Sequence, residues 1–172
     1  MIEIKRALLK DAEAITEIKI KAFNKEINTY LGRNGGPPGY DKVESENKII
    51  TNFVAYKILL DNNIIGGLFL IPTEGDKMRF EDFVIDPIHQ GNGYGYRVMQ
   101  LIEKMHPDIK EWRLSTPVFS VGNQHLYTKF GYREISRNDD EIEYVKLTWS
   151  FSENQYSDKG FEKTFKKQFC CY

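Results

Sequence analysis

The sequence predicts an α/β domain in which helices cover both faces of a mixed sheet. Three observations lead to this class. The chain has 172 residues, which suits one domain with its own core. Its composition, 41% hydrophobic and 28% charged residues, is typical of a globular protein. Strand and helix patterns also alternate along the chain without an internal repeat.

The first part of the chain predicts a strand and two helices. "IEIKRA", residues 2–7, alternates apolar and polar side chains as a strand does. Asp11 is placed to cap a helix that we expect to end near Phe23. The apolar face of this helix carries Ile15, Ile18 and Ala22. The glycines and prolines of "NTYLGRNGGPPGYD", residues 28–41, predict a loop, and a short helix is expected within residues 41–51.

Two apolar runs, residues 52–60 and 64–71, flank the turn "DNN" and predict a hairpin. Gly66 and Gly67 weaken or bulge its second strand.

The next strand, "MRFEDFVID", changes its face part-way along. Met78 and Phe80 share one face, whereas Phe83 and Ile85 share the other. A β-bulge between the two pairs produces this pattern, and so does a strand that is buried on both faces. The pattern alone does not choose between them.

The second half of the chain predicts two helices and three strands. A helical stripe consists of Val98, Leu101, Ile102 and Met105. Pro107 ends this helix, a strand follows at residues 111–118, and a short helix at residues 122–131. Residues 132–135 and 142–151 predict the closing strands. 

Residues 1–150 are expected to form the domain, and residues 151–172 a C-terminal tail. In the tail, Phe161, Phe165 and Phe169 recur every fourth residue, which predicts an amphipathic helix. Such a helix packs on its own domain or on a second subunit, so a homodimer is one alternative.

Composition argues against several classes of function. The net charge of −1 gives no basic field for nucleic acid. Cys170 and Cys171 are adjacent and cannot staple distant segments, which favours a reducing compartment. No signal-peptide pattern and no apolar run of membrane-spanning length is present, so we expect a soluble, cytoplasmic protein without a membrane partner. His89, His106 and His125 lack metal-ligand spacing, so no metal is expected.

The segment "QGNGYG", residues 90–95, stands between a strand and a helix. Glycines allow a backbone to approach phosphate oxygens, and a helix N-terminus attracts anions, so the segment predicts a site for a diphosphate. A nucleotide P-loop is excluded because Lys-Ser/Thr does not follow the last glycine. The glycine spacing also differs from the dinucleotide fingerprint. A plain tight turn remains the alternative.

Two segments resemble one known family. "FVIDPIHQGNGYG" resembles motif A of the GNAT superfamily, the acyl-CoA-dependent N-acyltransferases, and "SVGNQHLYTKFGYRE" resembles a later helix of that family. The matching residues are Gln90, Gly93, Gly95, Asn123, Tyr127, Lys129, Gly131 and Tyr132. The resemblance spans residues 2–149. It implies the GNAT fold, with a mostly antiparallel mixed sheet of six to seven strands.

The resemblance implies an N-acetyltransferase in which a primary amine attacks acetyl-CoA directly in a ternary complex. It implies that the donor is bound by Phe83, Val84, Ile85, Gln90, Gly91, Asn92, Gly93, Tyr94, Gly95, Asn123 and Lys129. Asn123 is expected to contact the CoA arm, to cap its helix, or both. Longer acyl donors remain open.

The resemblance also implies catalytic roles. Glu81, and Asp82 after it, stand where the family often has the general base. Tyr127 matches the usual proton donor for the departing thiolate. A backbone N–H near Val84 is expected to polarise the thioester carbonyl.

The acceptor is expected to meet the loop after the first helix. Candidate residues there are Tyr30, Arg33, Tyr40 and Asp41. A small-molecule amine and a protein amine both fit. The alternative function is a CoA-binding sensor without turnover, which needs neither Glu81 nor Tyr127.

Overall fold

The computed structural model describes residues 1–148, which form a single seven-stranded sheet with four α-helices. The strands are β1 (Ile2–Arg6), β2 (Val54–Leu60), β3 (Asn63–Pro72), β4 (Lys77–Ile85), β5 (Glu111–Pro117), β6 (Arg133–Arg137) and β7 (Glu141–Leu147). The helices are α1 (Ala12–Leu31), α2 (Val43–Asn52), α3 (Tyr94–Met105) and α4 (Val121–Phe130). Short 3₁₀ turns at Leu9–Asp11 and Pro87–His89 precede α1 and α3. The predicted order of elements is confirmed.

The sheet runs in the order β1-β2-β3-β4-β5-β7-β6. All neighbouring strands are antiparallel except β4 and β5, which are parallel. Consecutive strands β2, β3 and β4 form a meander, whereas the parallel pair needs the α3 crossover between its strands. The mixed, mostly antiparallel sheet is therefore confirmed.

The helices cover both faces of the sheet, as predicted. On one face, α1 and α2 pack through Ile15 and Ile50 against Ala55. On the other face, α3 and α4 pack on the main core, which contains the fully buried Ile102 and Trp112. Two sets of apolar side chains, alternating along the strands, fill these two layers.

The first helix is longer than predicted. It continues past Phe23 for two more turns and ends at Leu31, where Gly32 takes the left-handed conformation with φ 65°. Residues 24–31 contain no proline or glycine to stop a helix, and the Gly32 amide caps it by donating to the Asn28 carbonyl (3.0 Å). The predicted loop therefore begins at residue 32, not at residue 28.

Two further details differ from the prediction. Asp11 occupies the N-cap position of α1, yet its carboxylate accepts from the Leu8 amide (2.9 Å) and so caps the preceding 3₁₀ turn. In α3 the buried stripe is Val98, Met99 and Ile102. Met105, expected in that stripe, is 44% exposed because it lies in the last turn, beyond the edge of the core.

Strand β4 contains the predicted bulge. Its register against β3 shifts between Gly67 and Phe69, and Asp82 inside the shift has φ 47°. Beyond the shift, Phe83 and Ile85 return to the same core as Met78 and Phe80. The bulge, rather than burial on both faces, thus explains the change of face.

Gly66 permits this close approach. A Cβ at Gly66 would lie 2.3 Å from the Val84 carbonyl oxygen, so a larger residue would push β4 away from β3.

Strands β4 and β5 then separate. Only Lys77–Arg79 of β4 pairs with Glu111–Arg113 of β5, although both strands continue further. The end of β4 that extends beyond this pairing borders a cavity.

Within residues 1–148 no helix has the length and apolar composition that a bilayer span requires. The tail at residues 151–172, with Phe161, Phe165 and Phe169, lies outside the described residues, and so do both cysteines.

Candidate active site

A cavity of about 580 Å³ lies at the end of β4, beyond the residues of this strand that pair with β5. Four segments line it: the C-terminal half of α1, the end of β4, the glycine loop with the start of α3, and the outer face of α4. The predicted donor residues on its wall are Phe83, Val84, Ile85, Gln90, Gly91, Gly93, Tyr94, Gly95, Asn123 and Lys129. Of the predicted donor set, Asn92 alone is not on the cavity wall.

The glycine loop presents bare backbone at the N-terminus of α3. Gly91 (φ 80°) and Gly93 (φ 76°) adopt conformations that favour glycine, and Gly93 occupies the N-cap without a side-chain cap. Within the described residues, the amides of positions 91–93 donate to no protein acceptor. Free amides at the positive end of a helix dipole attract an anion.

Side chains hold the loop in this shape. Gln90 donates through Nε2 to the Ile85 carbonyl (3.0 Å) and accepts at Oε1 from Lys25 (3.1 Å). Asn92 donates to the His89 carbonyl (3.1 Å) and so fixes the turn from behind. Asn92 therefore contributes its backbone and its turn geometry to the loop, and its side chain is already engaged.

Two cations lie on the cavity wall. Lys25 stands beside Gln90, and Lys129 extends from α4 with its Nζ 5.9 Å from the centre of the Tyr96 ring. Both complement an anion at the glycine loop. Lys25 was not predicted to lie in the site, because α1 was expected to end before this residue.

The end of β4 offers an open strand edge. Residues 80–85 extend beyond the pairing with β5, and Phe83, Val84 and Ile85 line the cavity. An extended ligand can use main-chain groups along such an edge as an added strand does.

Tyr127 lies beneath the cavity wall. It is buried in α4, is not part of the cavity lining, and its ring packs near those of Tyr132 and Tyr144. Burial raises the pKa of Tyr127 well above its usual value, and the negative charges of Glu26 and Glu81 raise it further. The phenol therefore stays protonated near neutral pH and holds a proton to donate.

Glu81 belongs to an ionic network on the sheet. Its Oε1 accepts from Arg79 Nε (2.7 Å), and Arg79 also binds Glu143 (3.0 Å) and Ser115 (3.1 Å). The Glu81 carboxylate is half-buried and lies off the cavity wall.

Asp82 belongs to a buried ionic triad. Lys19 of α1 contacts Asp82 at 2.9 Å and Glu46 of α2 at 2.6 Å. The side chains of Lys19 and Glu46 are only 4% and 5% exposed. The triad ties both helices of one face to the bulge in β4, and it occupies the Asp82 carboxylate with a cation.

Asn123 does not cap α4. The helix begins at Val121, so Ser120 holds the N-cap position and Asn123 lies inside the first turn. The proposal that Asn123 caps the helix is therefore wrong, because the helix already starts at Val121. The Asn123 amide instead donates to Glu26 Oε1 (3.3 Å) across the cavity.

Glu26 lies in the candidate site, although it was not predicted as a site residue. It lies on the cavity wall, and Ser120 Oγ also donates to its Oε1. Ala22, Glu26 and Tyr30 are spaced by four residues on α1 and all face the cavity. This spacing was visible in the sequence, but only if α1 had been extended past Phe23.

The four predicted acceptor residues are not brought together. Tyr30 lines the cavity, with its ring centre 5.7 Å from that of Phe119. Tyr40 donates to Asn24 Oδ1 (2.9 Å) and thereby anchors the loop to α1. Arg33 and Asp41 are exposed and lie off the cavity wall.

Comparison with known proteins bears on this site. A family model for the acetyltransferase (GNAT) domain matches residues 50–134, which include the β4 bulge, the glycine loop and α4. Comparison with curated protein sequences gives no match.

Many solved structures share the fold. The paiA N-acetyltransferase of Thermoplasma acidophilum in complex with coenzyme A is similar, with TM-score 0.73, 20% identity and coverage of 86% of this chain and 99% of that one. The spermidine N-acetyltransferase of Vibrio cholerae, in complex with CoA and spermine, has TM-score 0.65 and 20% identity over 85% and 95% of the two chains. The ribosomal-protein-S18-alanine N-acetyltransferase of Escherichia coli has TM-score 0.66 and 14% identity over 91% and 100%.

Proposed function

The chain belongs to the GNAT superfamily of acetyltransferases, and on that premise we propose that it transfers the acetyl group of acetyl-CoA to a primary amine. One observation carries the proposal. The free amides of the glycine loop and the open edge of β4 face one continuous cavity. A ligand with a diphosphate at one end and an extended amide arm at the other fits both features.

In this proposal the CoA diphosphate binds the amides of residues 91–95, with Lys25 and Lys129 supplying positive charge. Gln90 and Asn92 keep the loop in shape. The pantetheine arm lies along Phe83, Val84 and Ile85 and hydrogen-bonds to their main chain. Asn123 contacts the arm from α4.

The reaction we propose is direct attack. The acceptor loses a proton, its nitrogen bonds to the acetyl carbon, and the carbon–sulfur bond breaks. A backbone N–H near Val84 stabilises the oxyanion. Tyr127 gives the departing thiolate its proton. Glu81 and then Asp82 are the candidates that the sequence supplies for the general base, and each of these carboxylates is paired with a cation.

The acceptor is proposed as a primary amine, either of a small molecule or of a protein. The similar structures include enzymes named for spermidine and for a protein alanine, so both kinds are supported by likeness of fold alone. Tyr30 is the candidate acceptor contact on the cavity wall, whereas Arg33, Tyr40 and Asp41 belong to the loop that borders it.

One observation favours a second candidate, a CoA-binding module without turnover. Tyr127 lies under the cavity wall and not in it. In this alternative the phenol is a packing residue, and CoA binding regulates a partner.

Ligand binding tests the proposal first. Acetyl-CoA, CoA, NAD and ATP are compared in a thermal-shift titration, where a ligand at about a hundred times its Kd stabilises the fold by roughly 2.7 kcal/mol. We expect a response to acetyl-CoA and CoA alone. A response to NAD or ATP instead would contradict the proposed donor. Thiol release with an amine then separates the enzyme from the sensor.

Two glycine variants sharpen this test. Gly93 (φ 76°) and Gly75 (φ 67°) both have open space around a built Cβ, so alanine introduces similar backbone strain at each. Gly75 lies in the turn before β4, away from the cavity. We expect Gly93→Ala to weaken acetyl-CoA binding by about tenfold or more, whereas Gly75→Ala costs similar stability and leaves affinity unchanged. Equal affinities would contradict the loop's role.

A further inference from the structure

Three carboxylates surround the open end of β4, and two of them already have a cation. Glu81 is paired with Arg79 at 2.7 Å, and Asp82 with Lys19 at 2.9 Å. Glu26 forms no ion pair with any residue in the range 1–148. It is also the member of the three that lies on the cavity wall.

The Glu26 carboxylate is oriented by neutral donors. Ser120 Oγ and Asn123 Nδ2 both donate to Oε1, while Oε2 accepts no hydrogen bond from the described residues. Ser120 is fully buried, and its amide donates to the Pro117 carbonyl (3.0 Å), so the donor itself is fixed. One oxygen is thus held in place and the other is available to a ligand.

Glu26 also faces the proposed reaction point. It projects from α1 toward the cavity that Phe83, Val84 and Ile85 border on the sheet side. Its negative charge, together with that of Glu81, contributes to the raised pKa of Tyr127, after burial. A carboxylate near both the strand edge and the proton donor is close to where an amine would attack.

From this geometry we propose that Glu26 binds the ammonium group of a cationic acceptor and takes its proton. The inference rests on the proposed acetyl transfer. Oε2 accepts one proton from the ammonium, the neutral nitrogen attacks the thioester, and Glu26 later releases the proton to water. After the attack the nitrogen loses its second proton, Tyr127 protonates the departing thiolate, and the proton from nitrogen restores the Tyr127 phenol, so one proton in all is released to water. An unpaired carboxylate in the cavity also favours acceptors that carry positive charge.

The test compares three isosteric variants, Glu26→Gln, Glu81→Gln and Asp82→Asn. The acceptor probes are spermidine and a peptide with a free alanine N-terminus, and the faster of the two is used. General bases contribute about 10²–10⁴-fold, so we expect Glu26→Gln to lower kcat/KM by that range and the other two to lower it less. Glu17→Gln, exposed on the same helix, is the matched control and should behave as wild type.

The pH dependence of kcat/KM distinguishes a general base from a residue that only packs. Other ionisable groups on the cavity wall are Lys25, Lys129, His89, His125 and three tyrosines. A general base is inactive once it is protonated, so a base on the cavity wall makes kcat/KM fall at low pH. We therefore expect His89→Asn and His125→Asn to keep that fall, and Glu26→Gln to abolish it. Glu26→Asp, which keeps the charge, should recover part of the activity.

The outcomes distinguish the two proposals. If wild type binds acetyl-CoA and acetylates an amine, but Glu26→Gln keeps kcat/KM within about twofold of wild type, this inference is overturned and the proposed function stands. Loss of the low-pH fall in Glu81→Gln instead would also overturn it. If wild type binds acetyl-CoA but releases no thiol with either amine, this inference fails and the sensor alternative is favoured, whereas a wild type that does not bind acetyl-CoA overturns the proposed function as well.

Discussion

Tyr127 combines two properties that matter for its proposed role. Its burial removes water from the phenol, and two carboxylates, Glu26 and Glu81, place negative charge nearby. Both effects disfavour the phenolate, so the pKa rises above the ordinary value of 10.0. A proton donor must hold its proton until the thiolate forms, and this environment provides that condition.

Replacing Tyr127 by phenylalanine removes the hydroxyl and keeps the ring packing. We expect kcat to fall by about 10²-fold or more, with the Kd for acetyl-CoA nearly unchanged. Because the donor stays protonated, wild-type kcat should show no decline caused by Tyr127 below pH 10. Steady-state kinetics and calorimetric titration measure the two quantities. Unchanged turnover would make Tyr127 a packing residue and favour the sensor.

Some residues of the candidate site could be predicted from the sequence, and others could not. The residues of β4 and the glycine loop that were predicted to bind the donor, apart from Asn92, line the cavity, and their signal is local in sequence. Glu26 and Lys25 were missed because their role depends on α1 meeting α4 and the glycine loop, contacts between residues 97 and 65 positions apart. Asp82 stays a candidate base, and its ion pair with Lys19, 63 positions away, has no local signal in the sequence.

At the scale of elements, the bulge in β4 is held by the triad of Lys19, Glu46 and Asp82. Asp82 adopts φ 47°, which is costly for a residue with a side chain. The ion pair with Lys19 compensates for this conformation by fixing the carboxylate. The triad thus links the packing of α1 and α2 to the position of the strand edge that is proposed to bind the donor.

The triad leads to a prediction for Lys19→Met. Two carboxylates then lose their shared cation, and Glu46 is buried, so we expect a loss of about 3–5 kcal/mol in the free energy of unfolding. Urea unfolding followed by circular dichroism measures it. Arg137→Met, which breaks an exposed pair with Glu134, is the control and should shift the midpoint little.

A second variant makes this result interpretable. The double variant Lys19→Met, Glu46→Gln removes one unpaired buried charge, so it should regain part of the lost stability. A single variant as stable as wild type would show that the triad does not hold the bulge.

Elements were predicted better than their ends. The hairpin of β2 and β3 was confirmed because its apolar runs and turn are local in sequence, whereas the change of face in β4 left two explanations, and the strand register decided for the bulge. The predicted end of α1 was wrong because residues 28–41 were assigned to one loop, although the glycines and prolines that indicate a loop begin only at Gly32. The parting of β4 and β5 could not be predicted, since it depends on pairing between strands separated by a helix.

At the scale of the whole molecule, the described residues form one sheet with helices on both faces. The last strand, β7, lies between β5 and β6, and the Thr148 amide donates to the Lys110 carbonyl (2.9 Å) directly after it. Among residues 1–148, those that line the cavity lie between positions 22 and 129. The boundary after residue 150 stays a prediction.

Truncation after Ser150 tests that boundary. We expect the shortened chain to keep its thermal unfolding midpoint and its affinity for acetyl-CoA, because residues 22–129 supply the described wall of the cavity. Differential scanning calorimetry and ligand titration measure both, and light scattering compares the oligomeric state with that of the full chain. A lower midpoint would assign the tail to this domain's fold, whereas a change from dimer to monomer would assign its phenylalanines to a subunit interface. Because truncation also removes Cys170 and Cys171, a full-length variant with both cysteines replaced by serine separates thiol effects from loss of the tail.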